Sequence, residues 1–224
     1  MLAKAFVQTA VIAVLFGLML FVPAGRLAWP QAWVFIGLFV LTSLAMATAL
    51  AIADPALLRE RTSVSGGRGL RPWDRAFFAL LAVGVPAWFV AMGLEARFAP
   101  PVWGWAGQAL GGAMILACMW IAWRTFRENS FAAPAVQVQS DRAQEVIQTG
   151  PYAFVRHPLY AGATLWMIGA PLLLGSRIGL VGSVAMILLV ALRAIGEERV
   201  LTEELTGYDA YLRKVRFRLL PGVW

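Results

Sequence analysis

The residues best suited to chemistry are concentrated in one segment, residues 137–160. This segment contains several hydrogen-bonding side chains, two prolines, Gly150 and His157, which is the only histidine of the chain. The sequence around it is apolar enough to lie in lipid. His157 precedes Pro158, which favours an extended backbone at the histidine and restricts where its ring can point. We therefore expect any reaction centre to be built on this segment.

A second polar cluster follows a later apolar run and consists of Arg193, Glu197 and Glu198. Residues 160–174 and 178–194 form a hairpin of two apolar runs joined by a short turn at residues 175–177, so the chain leaves and returns on the same side. Tyr160 and the second cluster should therefore lie close together. Carboxylates and aromatic faces suit a cationic cofactor, and an interfacial arginine suits an anionic or amphiphilic substrate.

A purely structural interpretation of these residues stays open from spacing alone. In that interpretation Arg156 and His157 anchor a helix to lipid headgroups, and the two glutamates are solvated. A metal site is not expected, because one histidine and one cysteine far apart supply too few good ligands. Cys118 lies inside an apolar run, where a free cysteine usually acts as a small buried hydrophobe.

The elements that must position these residues are membrane helices. Of the 224 residues, 60% are hydrophobic and 14% are charged, whereas soluble domains carry about 25% charged residues. Apolar runs long enough to cross a bilayer need ~20 residues. We predict an all-α polytopic membrane protein of about six transmembrane helices, with spans at residues 5–22, 29–53, 73–94 and 103–123 and the terminal hairpin, and with a polar loop at residues 54–72. The first run is interpreted as a helix and not as a cleaved signal peptide, because more spans follow it.

This pattern divides the chain into two predicted regions. Residues 1–125 form a four-helix transmembrane region, and residues 126–224 form a cofactor-binding and catalytic region that contains the hairpin. The cofactor pocket is expected between the loop before the hairpin and the C-terminal tail. The middles of the spans lack charged residues, which argues against a channel or an ion-coupled transporter.

The distribution of basic residues predicts an orientation. The net charge is +7, and three of the 19 Lys and Arg residues (Arg26, Arg97 and Arg177) fall on one side of the spans, with the other 16 on the opposite side. Because positive residues accumulate inside, both termini and the active site should be cytoplasmic, as in a prokaryotic inner membrane. The basic excess indicates topology and attraction to membrane lipids, and nucleic acid is not an expected partner.

The C-terminal sequence resembles a known family. The run Gly150-Pro-Tyr-Ala-Phe-Val-Arg-His-Pro-Leu-Tyr-Ala-Gly162, the hairpin, Arg193, the Glu197-Glu198 pair and the motif at residues 207–215 resemble the isoprenylcysteine carboxyl methyltransferase family of integral membrane methyltransferases. The resemblance begins at Gln137 and covers about the last 90 residues, whereas the first four spans resemble no particular family.

The resemblance implies S-adenosyl-L-methionine as the cofactor. It implies that the cofactor is held by Gln137, Gln144, Glu145, Val146, Ile147, Tyr152, His157, Pro158, Leu159, Tyr160 and one of Glu197 or Glu198. Arg193 is similar to the arginine placed at the reacting carboxylate of the substrate. Arg156 joins Arg193, Glu197 and Glu198 as a candidate catalytic residue.

The sequence departs from the family pattern at two places. The family usually has a histidine where Gln144 stands. The stretch from the glutamate pair to Gly207 is one residue longer, so the choice between Glu197 and Glu198 as the cofactor ligand stays open at this point.

The predicted reaction is transfer of a methyl group to a lipophilic small-molecule or prenylated substrate, with carboxyl O-methylation of an isoprenylcysteine-like acceptor as the first expectation. A carboxylate acceptor needs no base, whereas an amine must first lose a proton. Phospholipid amine methyltransferases resemble the same region, and a thiol is a further candidate acceptor. Membrane sterol reductases share the Arg-His motif and bind a nicotinamide cofactor, but they usually carry Asn where Leu159 stands. A non-catalytic membrane protein is the remaining alternative.

Overall fold

The computed structural model describes residues 1–63, 71–132 and 144–224, and these residues form helices and connecting loops without a strand. The helices are α1 (Leu2–Ala24), α2 (Pro30–Ala53), α3 (Pro55–Thr62), α4 (Pro72–Phe98), α5 (Trp105–Glu128), α6 (Pro158–Leu174), α7 (Arg177–Glu204) and α8 (Tyr208–Lys214), with a 3₁₀ turn at Gly150–Ala153.

Five of these helices, α1, α2, α4, α5 and α7, are long and apolar enough to cross a membrane. The apolar helix α6 has 17 residues, so it measures about 25 Å at ~1.5 Å per residue. This length is a little below the ~30 Å hydrocarbon thickness of a bilayer. The all-α polytopic fold predicted from the sequence is confirmed, with α6 as its short hairpin arm.

The loop predicted for residues 54–72 is wrong in its first part, because α3 lies there. Asp54 is the N-cap of α3, and its Oδ1 accepts a hydrogen bond from the Leu57 amide at 2.9 Å. Pro55 occupies the first helical position, where its missing N–H is harmless. Leu57 and Leu58 are buried against the ends of α2 and α5. The pair Asp54-Pro55 therefore ends one helix and begins the next.

Three helices continue beyond the apolar runs that predicted them. α4 ends at Phe98, α5 ends at Glu128 and α7 ends at Glu204. Hydropathy detects only the part of a helix that matches lipid, whereas backbone hydrogen bonding continues into the polar sequence. As a result, α7 carries Glu197 and Glu198 on its last turns as a rigid extension of the hairpin.

The centre of the bundle is an aromatic cluster that joins four helices. Phe16 of α1 lies 5.3 Å from Phe35 of α2 and 4.7 Å from Phe89 of α4, measured between ring centroids. Trp166 of α6 lies 5.9 Å from Phe35 and 6.0 Å from Phe89. Such tilted and edge-on contacts each add about 0.5–1.5 kcal/mol beyond burial, so this cluster fixes the mutual positions of the helices.

Helices α5 and α6 pack with almost no side chain between them. A Cβ atom at Gly111 would lie 2.4 Å from the Leu173 amide nitrogen and 2.6 Å from the Gly169 carbonyl oxygen. Only glycine allows this approach, which is a common way of joining helices in lipid. The contact holds α6 firmly against α5.

The hairpin turn lies at the end of the bundle where the sequence placed Arg26, Arg97 and Arg177. Glu95 accepts hydrogen bonds from the Ser176 hydroxyl and from the amides of Arg177 and Ile178, at 3.2 and 3.1 Å for the two amides. Arg26 Nη2 donates to the Ala96 carbonyl at 2.8 Å. Arg26 and Arg177 therefore lie at one end of the bundle with Arg97, as the span map predicted.

Candidate functional site

A cavity of ≈ 710 Å³ opens at the other end of the bundle, where α1 begins and α6 begins. Helices α1, α2 and α4 contribute mainly apolar side chains to it, among them Ile12, Phe39 and Leu81. The segment before α6, the last turns of α7 and helix α8 contribute most of its polar groups. The cavity thus joins an apolar part within the bundle to a polar part near its end.

Most of the residues predicted from the sequence line this one cavity. They are Gln144, Glu145, Val146, Ile147, Tyr152, Arg156, His157, Pro158, Leu159, Tyr160, Arg193 and Glu197. Glu198 is not among the lining residues. Gln137 lies outside the residues that the structure describes.

Backbone hydrogen bonds join the start of α6 to the C-terminal segment, which is the stretch of chain after α8. The Arg156 amide donates to the Phe217 carbonyl and the His157 amide donates to the Arg218 carbonyl, each at 2.9 Å. Pro158 takes the first position of α6 and His157 caps it. This arrangement fixes the direction of the His157 side chain toward α7.

Glu198 is buried in a network with two arginines and His157. Its Oε1 lies 2.6 Å from Arg156 Nε and 3.3 Å from His157 Nε2, and its Oε2 accepts from Arg218 Nε at 2.8 Å. The Glu198 side chain is 8% exposed. Arg156 also donates from Nη1 to the carbonyls of Val215 and Arg216, at 2.8 Å each. The network therefore ties α6, α7 and the C-terminal segment together.

Glu197 faces the cavity and differs from its neighbour in environment. Its side chain is 25% exposed, and its Oε2 accepts a hydrogen bond from the Tyr160 hydroxyl at 2.5 Å. His157 Nδ1 lies 3.9 Å from the same oxygen, and the His157 ring stacks on Tyr160 at 5.4 Å between centroids. This places one carboxylate, one imidazole and one phenol together at the cavity wall.

Arg193 forms an ion pair with an acidic residue of α4. Its Nη2 lies 3.1 Å from Oδ1 of Asp74, which is fully buried. The guanidinium lies over the rings of Phe77 and Phe78, at 4.3 and 4.8 Å from their centroids. Arg193 is therefore a buried, paired cation whose remaining surface lines the cavity.

Tyr152 is placed by the 3₁₀ turn that precedes α6. Gly150 opens this turn with φ of 57°, a conformation that glycine adopts without strain. The Tyr152 hydroxyl accepts from Asn129 Nδ2 at 2.7 Å, and the Tyr152 carbonyl accepts from the Tyr211 hydroxyl at 2.7 Å. Burial raises the pKa of Tyr152 well above its usual range, so the phenol stays protonated and can donate a hydrogen bond into the cavity.

Several cavity or supporting residues were missed by sequence reasoning. They are Asp74, Asn129, Tyr208, Tyr211 and Arg61. Tyr208 and Tyr211 belong to the motif at residues 207–215 and could have been assigned from it. Asp74 and Arg61 come from the N-terminal half, where no motif indicates a partner for the C-terminal residues.

The side chains around the polar part could hold a cationic group. Tyr152, Tyr160, Tyr208 and Tyr211 offer aromatic faces, to which a sulfonium or other cation is attracted. Glu197 offers a carboxylate. Among the described residues, no group of three or more His, Cys, Asp or Glu side chains could hold a metal ion.

The chain is similar to a known family over part of its length. A family model described as phospholipid methyltransferase matches residues 106–207, which is a little under half of the 224 residues. The matched region contains α5, the 3₁₀ turn, α6 and α7, and with them most of the polar part of the cavity, whereas α8 follows it. No curated protein matches the chain.

Proposed function

We propose that this chain is an S-adenosylmethionine-dependent methyltransferase that acts on a lipophilic or amphiphilic acceptor at the membrane interface. The observation that carries the proposal is the cavity itself. Side chains from three separate stretches, residues 144–160, α7 and α8, converge on its polar part. The phospholipid methyltransferase match over residues 106–207 supports the same chemistry.

Under this proposal the cofactor lies against the polar wall. Along one edge it would be flanked by Gln144, Glu145, Val146 and Ile147. Near the start of α6 it would be contacted by Tyr152 and by the residues from His157 to Tyr160. Glu197 would balance its charge. Gln137, which the sequence also predicted, belongs to the same proposed set. Glu198 and Arg156 act as positioning residues, because their buried hydrogen bonds hold His157 and the C-terminal segment in place.

The cofactor supplies an electrophilic methyl group when it is bound. The residues of the chain bind it, orient the acceptor and exclude water, which are the contributions expected for a displacement of this kind. The apolar side chains of α1, α2 and α4 admit the hydrocarbon part of the acceptor.

A carboxylate acceptor is the first candidate, as in an isoprenylcysteine-like substrate. Arg193 lines the cavity and would hold such a carboxylate by its guanidinium fork. Asp74 fixes the direction of that fork from behind. A carboxylate is already a nucleophile at neutral pH, so no residue needs to remove a proton.

An amine-bearing phospholipid is the second candidate, and one observation favours it. Arg193 is already paired with Asp74 at 3.1 Å, which reduces its attraction for a second carboxylate. Glu197, a partly exposed carboxylate of the wall beside Arg193, could accept the proton that an ammonium group must lose. The description of the matching family, phospholipid methyltransferase, agrees with this acceptor class.

Calorimetry with S-adenosylhomocysteine on purified protein tests the proposal. We expect saturable binding of this product and none of a nicotinamide dinucleotide. Transfer of labelled methyl groups to an S-farnesylcysteine analogue and to phosphatidylethanolamine, compared in vesicles, then separates the two acceptor classes. Binding of the nicotinamide in place of S-adenosylhomocysteine would overturn the proposal in favour of a reductase.

A further inference from the structure

Three arginines line the cavity, and two of them are paired with acids. Arg156 contacts Glu198 at 2.6 Å and Arg193 contacts Asp74 at 3.1 Å. Arg61 of α3 forms no ion pair with any residue in the described part of the chain, although it lines the same cavity. Arg61 is thus the cavity arginine whose charge the described protein does not neutralise.

The Arg61 side chain is nevertheless held in place. Its Nη1 donates to the Ala132 carbonyl at 2.8 Å, and its guanidinium lies 4.4 Å from the centroid of the Phe126 ring. The buried residues Leu57 and Leu58 fix α3 in the same apolar cluster as Phe126 and Ala132. A guanidinium has five N–H donors, and the contact with Ala132 uses one nitrogen, so the other side of the fork can bind a ligand.

We infer that Arg61 binds an oxyanion, a phosphate or a carboxylate, of a molecule that occupies the cavity. Bidentate contact with such a group is the interaction for which arginine is best suited. The inference rests on the proposed function for the identity of the ligands. It deepens that function by assigning an anion subsite to the N-terminal half of the chain.

The surroundings of Arg61 favour the phosphate of an amphiphilic acceptor. Ile12, Phe39, Met46 and Met119 line the apolar part of the same cavity and suit a hydrocarbon chain. An amphiphile would then place its anionic group at Arg61 and its chain within the bundle. The carboxylate of the cofactor is the other source of the same chemistry.

The experiment compares Arg61→Gln with Arg59→Gln in neutral detergent. Arg59 lies on the same helix, is exposed as Arg61 is and donates from Nε to the sulfur of Met1, but it does not line the cavity. Both variants lose one positive charge, so general attraction for anions changes equally. The probes are octanoyl lysophosphatidic acid, octanoyl glycerol, which lacks the phosphate, and S-adenosylhomocysteine.

We expect the wild type and Arg59→Gln to bind the phosphate probe about tenfold or more tightly than octanoyl glycerol, as a charge-assisted bidentate contact predicts. Arg61→Gln should lose that preference, and Arg61→Lys, which keeps the charge, should retain part of it. A comparable loss of S-adenosylhomocysteine affinity in Arg61→Gln alone would assign the oxyanion to the cofactor.

Wild-type affinities for all three probes in Arg61→Gln would overturn the inference. A wild type that binds the phosphate probe with preference but fails to bind S-adenosylhomocysteine would refute the proposed function and leave the anion subsite standing. If Arg61→Gln does not fold, the phosphate preference of Arg61→Lys is the test. A wild-type preference in that variant would overturn the bidentate contact, because lysine offers only a point charge.

Discussion

At the scale of single residues, Glu197 and Glu198 show how adjacent identical side chains take different roles. Neighbouring residues of a helix point in directions about 100° apart, since one turn takes 3.6 residues. Glu197 therefore reaches the cavity and Tyr160, whereas Glu198 reaches Arg156 before α6 and Arg218 near the C-terminus. The sequence identified the pair but did not show which glutamate faces the cavity, because spacing alone does not tell which side of the helix each residue occupies.

Replacing each glutamate by glutamine should separate these roles. Glu198→Gln leaves Arg156 and Arg218 without their buried carboxylate, so the free energy of unfolding should fall by about 3 kcal/mol. Glu197→Gln should keep the stability and weaken S-adenosylmethionine binding by about 1–3 kcal/mol, because it removes the charge that would balance the sulfonium. Thermal unfolding and calorimetry on both purified variants measure the two effects. Equal loss of stability in both variants would contradict this assignment.

At the scale of helices, the contact between α4 and α7 carries two ion pairs of different burial. Asp74–Arg193 is buried beside the cavity, with 0% and 5% exposure of the two side chains. Arg71–Glu204 lies at the surface, with 35% and 39% exposure. The buried pair joins the N-terminal half of the chain to a candidate catalytic residue, so α4 takes part in the site without lining its polar wall.

Asp74→Asn should destabilise the protein more than Arg71→Gln. Removing the buried carboxylate charge should cost about 1.5–3 kcal/mol, whereas an exposed pair contributes about 0–1 kcal/mol. Arg71→Gln, at the N-cap of the same helix, is therefore the matched control in a comparison of melting temperatures. A melting temperature of Asp74→Asn no lower than that of the control would show that the pair does not hold α4 against α7.

Arg193→Lys tests the role of the arginine fork itself. Lysine keeps the charge but loses the planar pair of donors. We expect unchanged S-adenosylhomocysteine affinity and methyl transfer to a carboxylate acceptor that is lower by about tenfold, or roughly 1.4 kcal/mol of barrier. Full turnover in this variant, with any acceptor that the wild type methylates, would return Arg193 to a structural role.

The residues of the polar wall were easier to predict from the sequence than the other residues of the site. The motif at residues 150–162, the hairpin and the glutamate pair predicted residues that the structure brings to one cavity. Asp74 and Arg61 were not predicted as site residues, because each is a single charged residue whose role depends on packing against elements distant in sequence. Helix α3 escaped for a local reason, since Asp-Pro was interpreted only as the end of α2.

At the scale of the whole molecule, the cavity combines two parts of the chain with different contributions. The region matched by the phospholipid methyltransferase family model, residues 106–207, supplies most of the polar wall. The helices before it supply apolar lining and the candidate anion subsite. In this arrangement the matched region would carry out the methyl transfer, and the N-terminal helices would determine which acceptor reaches it.

The same arrangement makes the orientation in the membrane testable. Arg26 lies at the end of the bundle opposite the cavity, whereas Arg59 lies on α3 at the cavity end. The positive-inside rule predicts that the cavity end, which carries all the described Lys and Arg residues except Arg26, Arg97 and Arg177, faces the cytoplasm. Cys118, the only native cysteine, is buried and can be replaced by alanine to give a background without thiols.

In that background, Arg26→Cys should react with a membrane-impermeant maleimide on intact cells, and Arg59→Cys should react only after the cells are permeabilised. The charge of the anionic inner leaflet attracts the basic cavity end by about 1 kcal/mol for each nearby Lys or Arg, which reinforces the orientation. Labelling of Arg59→Cys from outside, with Arg26→Cys protected, would reverse the topology. The cofactor, which is made in the cytoplasm, would then not reach the cavity, and the proposed methyl transfer would fail with it.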